Sequence, residues 1–506
     1  MTEQGRTLGT ASSCDRRPRF LNPKRHWPAF AIIIAAALCL TLYRLGACGI
    51  CKGNEAVEAI FLQQMVERGH VLFPSVNGGS PMYKPPLFHW TATALDRAAG
   101  VKKVTPFNFR LPAALYAVAG VGLTMAFAYG VMSIDGTILA GLTLLAAHQY
   151  VRLGRMGRVD MTLTFFQTLA LFAFWWWYEG MRAQGNRRNA MIYVAAAAAG
   201  LGVLSKGPVG AIIPGLSVAI FVIAEGRLRE VLRRVPLGAL VLAIAISASW
   251  YAAGYLDARH ALLSRQLGSE NFGRFFGELG SSPPWYYLGP LLLNSLPVSL
   301  LVPAAVFAVF FASRESETEA GARAHQAVKL LAIFWLVTLV FYSAAAYKSR
   351  WYILPLWPSG AVILAWWIRR VGAQWGPGRV EGGFAAICAA AALFNLFFIP
   401  HQEMRDCARY GYRRTAAEIR RIVGDSQPLY AAGFVDEPFA PLLFYLDRDA
   451  PFISGDLAAA PPGYIIVPAQ LWDTMSKDHP KGFEVLLRSE EGRTRPVLLR
   501  HDAAAR

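Results

Sequence analysis

The sequence predicts a polytopic α-helical membrane protein that ends in a small soluble α/β domain. The chain has 506 residues, of which 55% are hydrophobic and only 16% are charged. Apolar stretches of about 17 to 25 residues, the length that crosses a bilayer as a helix, recur along most of it. After about residue 400 the charged fraction rises and the apolar runs shorten. A soluble enzyme of this length carries fewer apolar residues, so that class is excluded.

About eleven apolar stretches are long enough to span a membrane, with ten and thirteen as the bounds of the count. They begin near residues 28, 109, 134, 161, 190, 209, 237, 286, 330, 353 and 383. Basic residues cluster in alternate loops, which places those loops and the N-terminal tail, residues 1–27, in the cytoplasm. Residues 28–400 form the predicted transmembrane domain. An odd number of spans then places residues 401–506 on the opposite face.

The C-terminal segment, residues 401–506, is predicted to be a small domain in which strands alternate with helices. PLYAAGF, PFISG and GYIIVPA have the β-branched and aromatic content of strands between turn residues. TAAEIRRIV has the apolar period of a helix. This segment therefore has a fold of its own, outside the membrane.

The net charge of +17 does not indicate nucleic acid as a partner. The basic residues lie in short clusters between apolar runs, so orientation in the bilayer and contact with anionic membrane lipids account for them. Five of them lie just before the first apolar run, which is predicted to be a retained signal anchor because no small-residue cleavage site follows it.

Six cysteines are too few for a disulfide scaffold in a chain of this length. Cys48 and Cys51 form the sequence CGIC just after the first apolar run. In an oxidising compartment these two would form a local disulfide, and the alternative is a pair of unrelated small residues.

The first outer loop, residues 47–107, is too long for a simple connector and contains two helix-like segments. Within it, Lys84 precedes Pro85 and Pro86, which fix the backbone at the start of a helix. A lysine held beside the free amides of a helix start is suited to bind an anion, above all a phosphate. The alternative is a lysine that extends to the membrane interface beside Tyr83.

Other charged residues gather at the outward ends of the predicted spans. The cations there run against the positive-inside tendency, and a lipid-linked phosphate bound on that face would explain them. Asp160 follows Arg158 at the start of a span, where a carboxylate is costly enough to suggest function, although an ion pair between the two is the simpler alternative. Glu55 and Glu58 lie on one helical face after the first span. The outer cations are Lys84, Arg152, Arg155, Arg158, Lys206, Lys348 and Arg350.

The motifs of the membrane region, taken together, resemble those of bacterial aminoarabinose (lipid A) transferases and of related protein-mannosyltransferase-like enzymes. The resemblance covers about residues 28–360 and implies the GT-C fold. The motifs, in chain order, are NEA at residue 54, YKPPL at 83, RVDMTLTFF at 158, SKGPVGAIIPGL at 205, ENFGRFFG at 270, PPWYYLGPLLL at 283 and YKSRWYILPLWP at 347.

The resemblance implies a glycosyltransferase of the bacterial inner membrane with its active site on the periplasmic face. The donor would be a polyprenyl-phosphate-linked sugar, and the acceptor a glycolipid such as lipid A or a protein. Lys84 would bind the donor phosphate, helped by Lys206, Lys348 or Arg350, and Asp160 or Glu55 would serve the acceptor. The remaining residues expected at the substrates are Asn54, Tyr83, Arg158, Glu270, Asn271 and Tyr347.

Two departures from the family pattern bear on the mechanism. Members have an aspartate where this chain has Asn54 and often a glutamate where it has Tyr83. Three hypotheses follow: Glu55 or Asp160 is the base, or the acceptor is a phosphate that is already ionised and needs none, or the protein binds the glycolipid without turnover.

No spacing of metal ligands stands out in the sequence. His89 and His260 are the candidate metal ligands, although a role at the membrane interface suits both better. A divalent metal stays open as a cofactor. The rival functions are a transporter or flippase of lipid-linked sugars, which would have repeated halves, and a non-catalytic sensor.

Overall fold

The protein is described here by a computed structural model. It describes residues 23–182, 190–257, 264–278, 280–312, 318–376, 378–434, 436–453, 457, 460–475, 482–492 and 494–502. Most of the predicted N-terminal tail and His260 lie outside these described residues.

A bundle of helices makes up most of the described chain. Its first half contains α1 (Pro23–Leu42), α2 (Gly53–Val66), α3 (Leu87–Ala98), α4 (Pro106–Val131), α5 (Ile134–Ala146), α6 (His148–Gly154), α7 (Val159–Arg182), α8 (Ala190–Lys206), α9 (Val209–Ala224), α10 (Leu228–Arg234) and α11 (Leu237–Leu256). A π-helix (Arg265–Gly273) then runs into α12 (Arg274–Phe276). After these come a 3₁₀ turn (Pro284–Tyr287), α13 (Leu288–Leu293), a second 3₁₀ turn (Val298–Leu300), α14 (Val302–Phe311), α15 (Glu319–Ala344), α16 (Leu356–Trp375) and α17 (Arg379–Tyr410).

Each predicted span begins in or just before one of these helices. By length and apolarity, four helical segments of the described chain could cross a membrane: Pro106–Val131, Leu237–Leu256, Glu319–Ala344 and the segment Arg379–Val423. Five apolar helices are shorter. The helical membrane-protein character is therefore confirmed, and the count of about eleven spans stays a prediction.

The first outer loop packs at the same end of the bundle as the last part of the chain. It contains α2, α3 and a short antiparallel hairpin of β1 (Ser75–Val76) and β2 (Ser80–Pro81). Most of α2 is buried. Pro85 and Pro86 directly precede α3, as the sequence predicts, because proline suits the first turn of a helix.

The C-terminal domain is a mixed five-stranded sheet with helices, which confirms a small C-terminal α/β fold. Its elements are α18 (Arg413–Val423), β3 (Leu429–Ala432), α19 (Asp436–Leu446), β4 (Phe452–Ile453), β5 (Gly463–Pro468), α20 (Ala469–Met475), β6 (Phe483–Arg488) and β7 (Pro496–His501). The strand order is β4-β3-β5-β7-β6, with β3 parallel to β4 and β5 and the remaining pairs antiparallel. α17 continues as a helix to Tyr410, past the predicted boundary at residue 401.

This domain docks on α2 and its flanking loops. Apolar residues of α2 and α19 belong to one continuous buried core. Asn77 exchanges two hydrogen bonds of 2.6 Å with the backbone of Ala450, and the Ile50 amide donates to the Tyr445 hydroxyl at 2.7 Å. The first outer loop and the C-terminal domain therefore form one unit.

The predicted local disulfide between Cys48 and Cys51 is wrong, because Cys48 has a different partner. Cys48 bonds to Cys407 at the end of α17, across 359 residues of sequence. The segment after Cys48 is held on the C-terminal domain by Ile50, which leaves Cys48 beside α17. Cys51 is a free, buried thiol whose sulfur lies 3.2 Å from that of Cys407.

Candidate functional site

Lys84 is held by a carboxylate on α2. Its ammonium pairs with one oxygen of Glu58. Nε2 of the buried His89 lies 3.2 Å from the other oxygen of Glu58 and 3.1 Å from its carbonyl. Pro85 and Pro86 lie between Lys84 and the start of α3, which carries His89, so one short segment supplies both partners of Glu58.

The Glu58 carboxylate is stabilised in its ionised form. Burial alone would raise its pKa, but the Lys84 ammonium and the hydrogen bonds from His89 and Lys84 lower the pKa of Glu58 to about 2. The reciprocal attraction outweighs burial at Lys84 and raises the pKa of its ammonium. At neutral pH this pair is an ion pair, and Glu58 is a weak base.

Asp160 forms the second ion-paired centre. It lies in the first turn of α7. One of its oxygens accepts from Arg158 Nε at 2.9 Å, and the other lies 2.5 Å from Lys206 Nζ at the end of α8. The ion pair that is the simple alternative for Arg158 and Asp160 is present. It includes Lys206 as well, which only the packing of α7 against α8 could bring in.

The two centres belong to one site. Lys84, Arg158 and Lys206 are close enough to repel one another electrostatically. The carboxylates of Glu58 and Asp160 are each only 3% exposed, whereas the three cations are 14 to 22% exposed. The cations therefore form the accessible surface of the site, with one positive charge in excess of the two carboxylates.

The remaining motif residues build one wall of the site. Arg274 is 2.5 Å from Glu270, donates to the Tyr352 hydroxyl at 3.0 Å and lies over the Tyr347 ring at 5.0 Å. Lys206 lies over the Tyr352 ring at 4.2 Å. These contacts join the ENFGRFFG, SKGP and YKSRWY motifs around the cations.

Tyr83 and the SKGP turn complete this wall. The Tyr83 ring faces Arg265 at 4.9 Å and Lys84 at 5.3 Å. Gly207 has φ +98°, and a Cβ there would lie 2.8 Å from Gln266 and 3.1 Å from Asn271. Asn271 itself donates to the Gln266 carbonyl at 2.5 Å, so it supports the π-helix beside the turn.

Glu55 and Lys348, both expected at the substrates, are enclosed by other groups. Glu55 is buried against Arg110, with contacts of 2.7 and 3.0 Å, and accepts from the Gly157 amide at 3.1 Å. These partners outweigh its burial and lower the pKa of Glu55. Lys348 is buried and donates to the carbonyls of Ser282 and Ala345.

Asn54 and Arg350 are both exposed. Asn54 lies one helical turn before Glu58, so both residues share the same face of α2. Arg350 lies over the Trp351 ring at 4.1 Å.

Sequence reasoning missed Glu58, His89, Arg274 and Tyr352 as members of the site. The sequence places Glu58 on a helix face with Glu55, but helical spacing does not tell which of the two meets Lys84. It gives His89, three residues after Pro86, as an interfacial histidine or, less well, a metal ligand, and not as a partner of Glu58. Among the described residues, the group with metal-ligand geometry is Cys48, Cys51 and Cys407, two of which are disulfide-bonded.

Comparison with known proteins supports the resemblance seen in the motifs. Residues 78–260 match the profile of the dolichyl-phosphate-mannose-protein mannosyltransferase family. An uncharacterized protein of Aquifex aeolicus (strain VF5) is 27% identical over 337 residues, 66% of this chain and 63% of that protein.

A second relative has a named activity. The undecaprenyl phosphate-alpha-4-amino-4-deoxy-L-arabinose arabinosyl transferase of Pectobacterium carotovorum subsp. carotovorum (strain PC1) is 26% identical over 343 residues, 67% of this chain and 58% of that enzyme. The chain thus matches only about 58 to 63% of the length of these two relatives.

A solved structure has the same fold. The crystal structure of ArnT from Cupriavidus metallidurans bound to undecaprenyl phosphate aligns with a TM-score of 0.76 at 17% identity, covering 94% of this chain and 98% of that one. The GT-C fold and the resemblance to aminoarabinose transferases and protein mannosyltransferases, both expected from the motifs, are confirmed.

Proposed function

We propose that this protein is a membrane glycosyltransferase that moves a sugar from a polyprenyl-phosphate donor to an acceptor. The face of the membrane that carries the first outer loop and the C-terminal domain would be the periplasmic face of a bacterial inner membrane. The observation that carries the proposal is the cation surface formed by Lys84, Arg158 and Lys206, backed by two buried carboxylates. A relative named for an undecaprenyl-phosphate-linked sugar supports it, as does a structure of the same fold bound to undecaprenyl phosphate.

The chemistry would be a displacement at the anomeric carbon of the sugar. An acceptor oxygen forms the new bond to that carbon while the bond to the donor phosphate breaks, and the electron pair leaves on the phosphate oxygen. Lys84, Arg158 and Lys206 face that developing charge in positions fixed before reaction, so little reorganisation is required. Arg274 and Tyr347 line the wall beside them.

The site favours an acceptor that is already ionised. Asn54 cannot act as a base, and Glu55 is enclosed by Arg110 and the Gly157 amide. Both oxygens of Asp160 are held by cations, and Glu58 is a weak base. We therefore assign Asp160 and Glu58 the role of positioning the cations and Glu55 a structural role. A phosphate acceptor would need no base.

The proposal is tested by the products made in cells. A deletion strain is complemented with the intact gene, with Lys84→Ala or with Lys102→Ala, an exposed lysine of the same loop. Mass spectrometry of lipid A and of periplasmic proteins should show a sugar-sized increment with the intact gene and with Lys102→Ala but not with Lys84→Ala.

The modified molecule in this experiment identifies the acceptor. An increment that persists with Lys84→Ala would contradict the assigned role of that lysine. No increment in either fraction, with the protein expressed, would favour the transporter or sensor instead.

A further inference from the structure

Three cysteines lie together where the segment before α2 meets the end of α17. Cys48 is bonded to Cys407 of α17, and the sulfur of the free Cys51 lies 3.2 Å from the Cys407 sulfur. All three sulfurs lie within 4.8 Å of one another. Cys407 therefore has two cysteine sulfurs within reach and is bonded to one of them.

An ion pair joins the chain neighbours of Cys51 and Cys407. Lys52, the residue after Cys51, pairs at 2.7 Å with Asp406, the residue before Cys407. Two adjacent residues before α2 thus face two adjacent residues of α17. This arrangement suits a disulfide from Cys51 to Cys407 as well as the one from Cys48.

A buried free cysteine often serves only as a small apolar residue of the core. Cys388, the other buried free cysteine of the described chain, belongs to the large apolar core. Cys51 differs, because it lies beside a disulfide and lines a cavity of about 20 Å³ whose other walls are mostly charged side chains. That space is large enough for about one water molecule, so a thiol proton has a polar route out of the site.

The surroundings of Cys51 keep its thiol protonated at neutral pH. Burial raises the pKa of Cys51 to about 11, and the carboxylate of Glu55 adds to this effect. The other charged neighbours are Lys52 and Arg110, which lower the pKa, and Asp406, which raises it. Since only a thiolate attacks a disulfide, exchange here is slow at pH 7 and becomes faster as the pH rises.

We propose that Cys51 exchanges with Cys48 for the bond to Cys407, so that the protein has two disulfide isomers. The Cys51 thiolate attacks the Cys407 sulfur and forms a bond to it, while the bond from Cys407 to Cys48 breaks and leaves its electron pair on Cys48. Cys51 gives up a proton to solvent before the attack, and Cys48 takes one up after it. One disulfide and one thiol are present before and after the step, so it needs no oxidant or reductant.

The two isomers differ in where the chain before α2 is tied to α17. Cys48 lies five positions before Gly53, the first residue of α2, whereas Cys51 lies only two positions before it. The bond from Cys51 therefore ties the start of α2 more closely to α17. Because α2 carries Glu58, which holds Lys84, we expect the isomers to differ in donor binding. This last step rests on the proposed function, and the exchange itself does not.

The exchange is tested by alkylation of the folded protein in nanodiscs without reductant. Samples incubated with iodoacetamide between pH 7 and pH 9 are quenched in acid, and their linkages are mapped by mass spectrometry of non-reduced digests. Before incubation Cys48 should be linked to Cys407. During incubation, alkylated Cys48 should appear together with a link from Cys51 to Cys407. The rate should rise about tenfold per pH unit, because the thiolate fraction of Cys51 does so below its pKa.

Three variants check the role of Cys51. In Cys51→Ala, Cys48 should stay linked to Cys407 and unalkylated at each pH, whereas Cys48→Ala should form the link from Cys51 to Cys407. Cys388→Ala is the matched control, because it removes the other buried free thiol and should behave as the unmodified protein. Alkylated Cys48 that persists in Cys51→Ala, or its absence from the unmodified protein, would refute the exchange.

Cys51→Ala and Cys48→Ala each hold one isomer, and they separate the inference from the proposed function. Hydrogen exchange of the first amides of α2 should be slower in Cys48→Ala, and the affinity for undecaprenyl phosphate should differ about threefold or more between the two variants. Equal amide exchange in both would overturn the effect of the isomers on α2. If amide exchange differs but neither variant nor the unmodified protein binds undecaprenyl phosphate, the proposed function fails and the two isomers stand.

Discussion

At the residue scale, the way Lys84 is held depends on Glu58. The two buried carboxylates of the site do not differ in chemistry from those of ordinary ion pairs. They differ in the exposure of their partners, because the cations paired with these buried carboxylates stay partly exposed to solvent. Removing such a carboxylate leaves a partly buried cation unpaired, which is more costly than losing a surface ion pair.

The Glu58 carboxylate gives a pH-dependent test. Its pKa lies at about 2, below the ordinary value of 4.5, so its contribution to stability is present above pH 4.5 and is lost as the pH falls through 2. Glu58→Gln should lower the unfolding free energy at pH 7 by on the order of 3 kcal/mol and flatten its decline across that acid range.

The measurement is thermal unfolding of the solubilised protein from pH 7 to pH 2. Glu418→Gln, at an exposed carboxylate of α18, is the control and should follow the unmodified protein. Equal acid profiles for Glu58→Gln and the unmodified protein would show that the ion pair with Lys84 does not stabilise the fold.

Substitutions of Asp160 and Glu55 should distinguish a carboxylate needed for activity from one needed for stability. Asp160→Asn removes the charge that positions Arg158 and Lys206, so product formation should fall by at least about tenfold while the protein stays folded. Glu55→Gln leaves Arg110 buried without its counterion and should reduce stability by about 3 to 5 kcal/mol.

Activity per folded molecule and unfolding are measured together on both variants. Glu55→Gln should keep its activity per folded molecule. A Glu55→Gln protein of normal stability and no activity would reverse the assignment and make Glu55 the catalytic carboxylate.

At the element scale, the turn between α8 and α9 sets the position of Lys206. Gly207 follows Lys206 with φ +98°, a conformation that disfavours side chains, and the π-helix approaches it closely. The turn, the π-helix and the end of α8 are therefore in close contact, and we expect a change in the turn to alter the position of Lys206.

Gly207→Ala should disturb that group. Its methyl carbon would lie 2.8 Å from the side-chain amide of Gln266, in a backbone conformation that alanine disfavours, so side chains of the π-helix must move, and we expect undecaprenyl phosphate binding to weaken about tenfold or more. Gly226→Ala is the matched control, because Gly226 also has a positive φ but a methyl carbon added there would have nothing within 4 Å.

Equilibrium binding of undecaprenyl phosphate to both variants distinguishes backbone strain at the glycine from the contact between the added methyl group and the π-helix. Equal weakening in the two variants would attribute the effect to backbone strain. Unchanged binding in Gly207→Ala would show that the π-helix does not position Lys206.

At the scale of the whole molecule, the C-terminal domain supports the helix that carries the site. α2 lies between the bundle and α19, with its apolar residues in a core shared by both. Glu58 is thus positioned from two sides, by the membrane domain and by a domain that lies at the other end of the chain. The bond from Cys48 to Cys407 ties the segment just before α2 to the end of α17, the helix that leads into the C-terminal domain.

The disulfide should be found between distant peptides. Mass spectrometry of a non-reduced digest should show Cys48 linked to Cys407, and Cys48→Ser with Cys407→Ser should lower stability by about 2 to 4 kcal/mol. Cys39→Ser, at an exposed free cysteine, is the control and should have no effect. A linkage between Cys48 and Cys51 would instead support the local pairing.

The amino-acid sequence alone determined the class of the protein, a helical membrane protein with a small C-terminal sheet. The lengths of the apolar stretches and the basic loops depend only on local sequence, and they predicted the helical bundle. Local sequence patterns and turn residues likewise predicted three strands and one helix of the C-terminal domain. The motif order predicted the fold. The sequence also indicated that Lys84 is held at the start of a helix, because two prolines before a helix constrain the backbone wherever the helix packs.

Only the tertiary structure decided which charges meet. Glu55 and Glu58 are three residues apart on one helix, and nothing local distinguishes the one that meets Arg110 from the one that meets Lys84. The partner of Cys48 lies far away in sequence, and so do Arg152 and Arg158, whose guanidinium groups lie beside the Trp351 ring. Such pairings depend on how helices pack, because a side chain's electrostatic partner is set by distance in space, and helical period fixes only the face on which it lies.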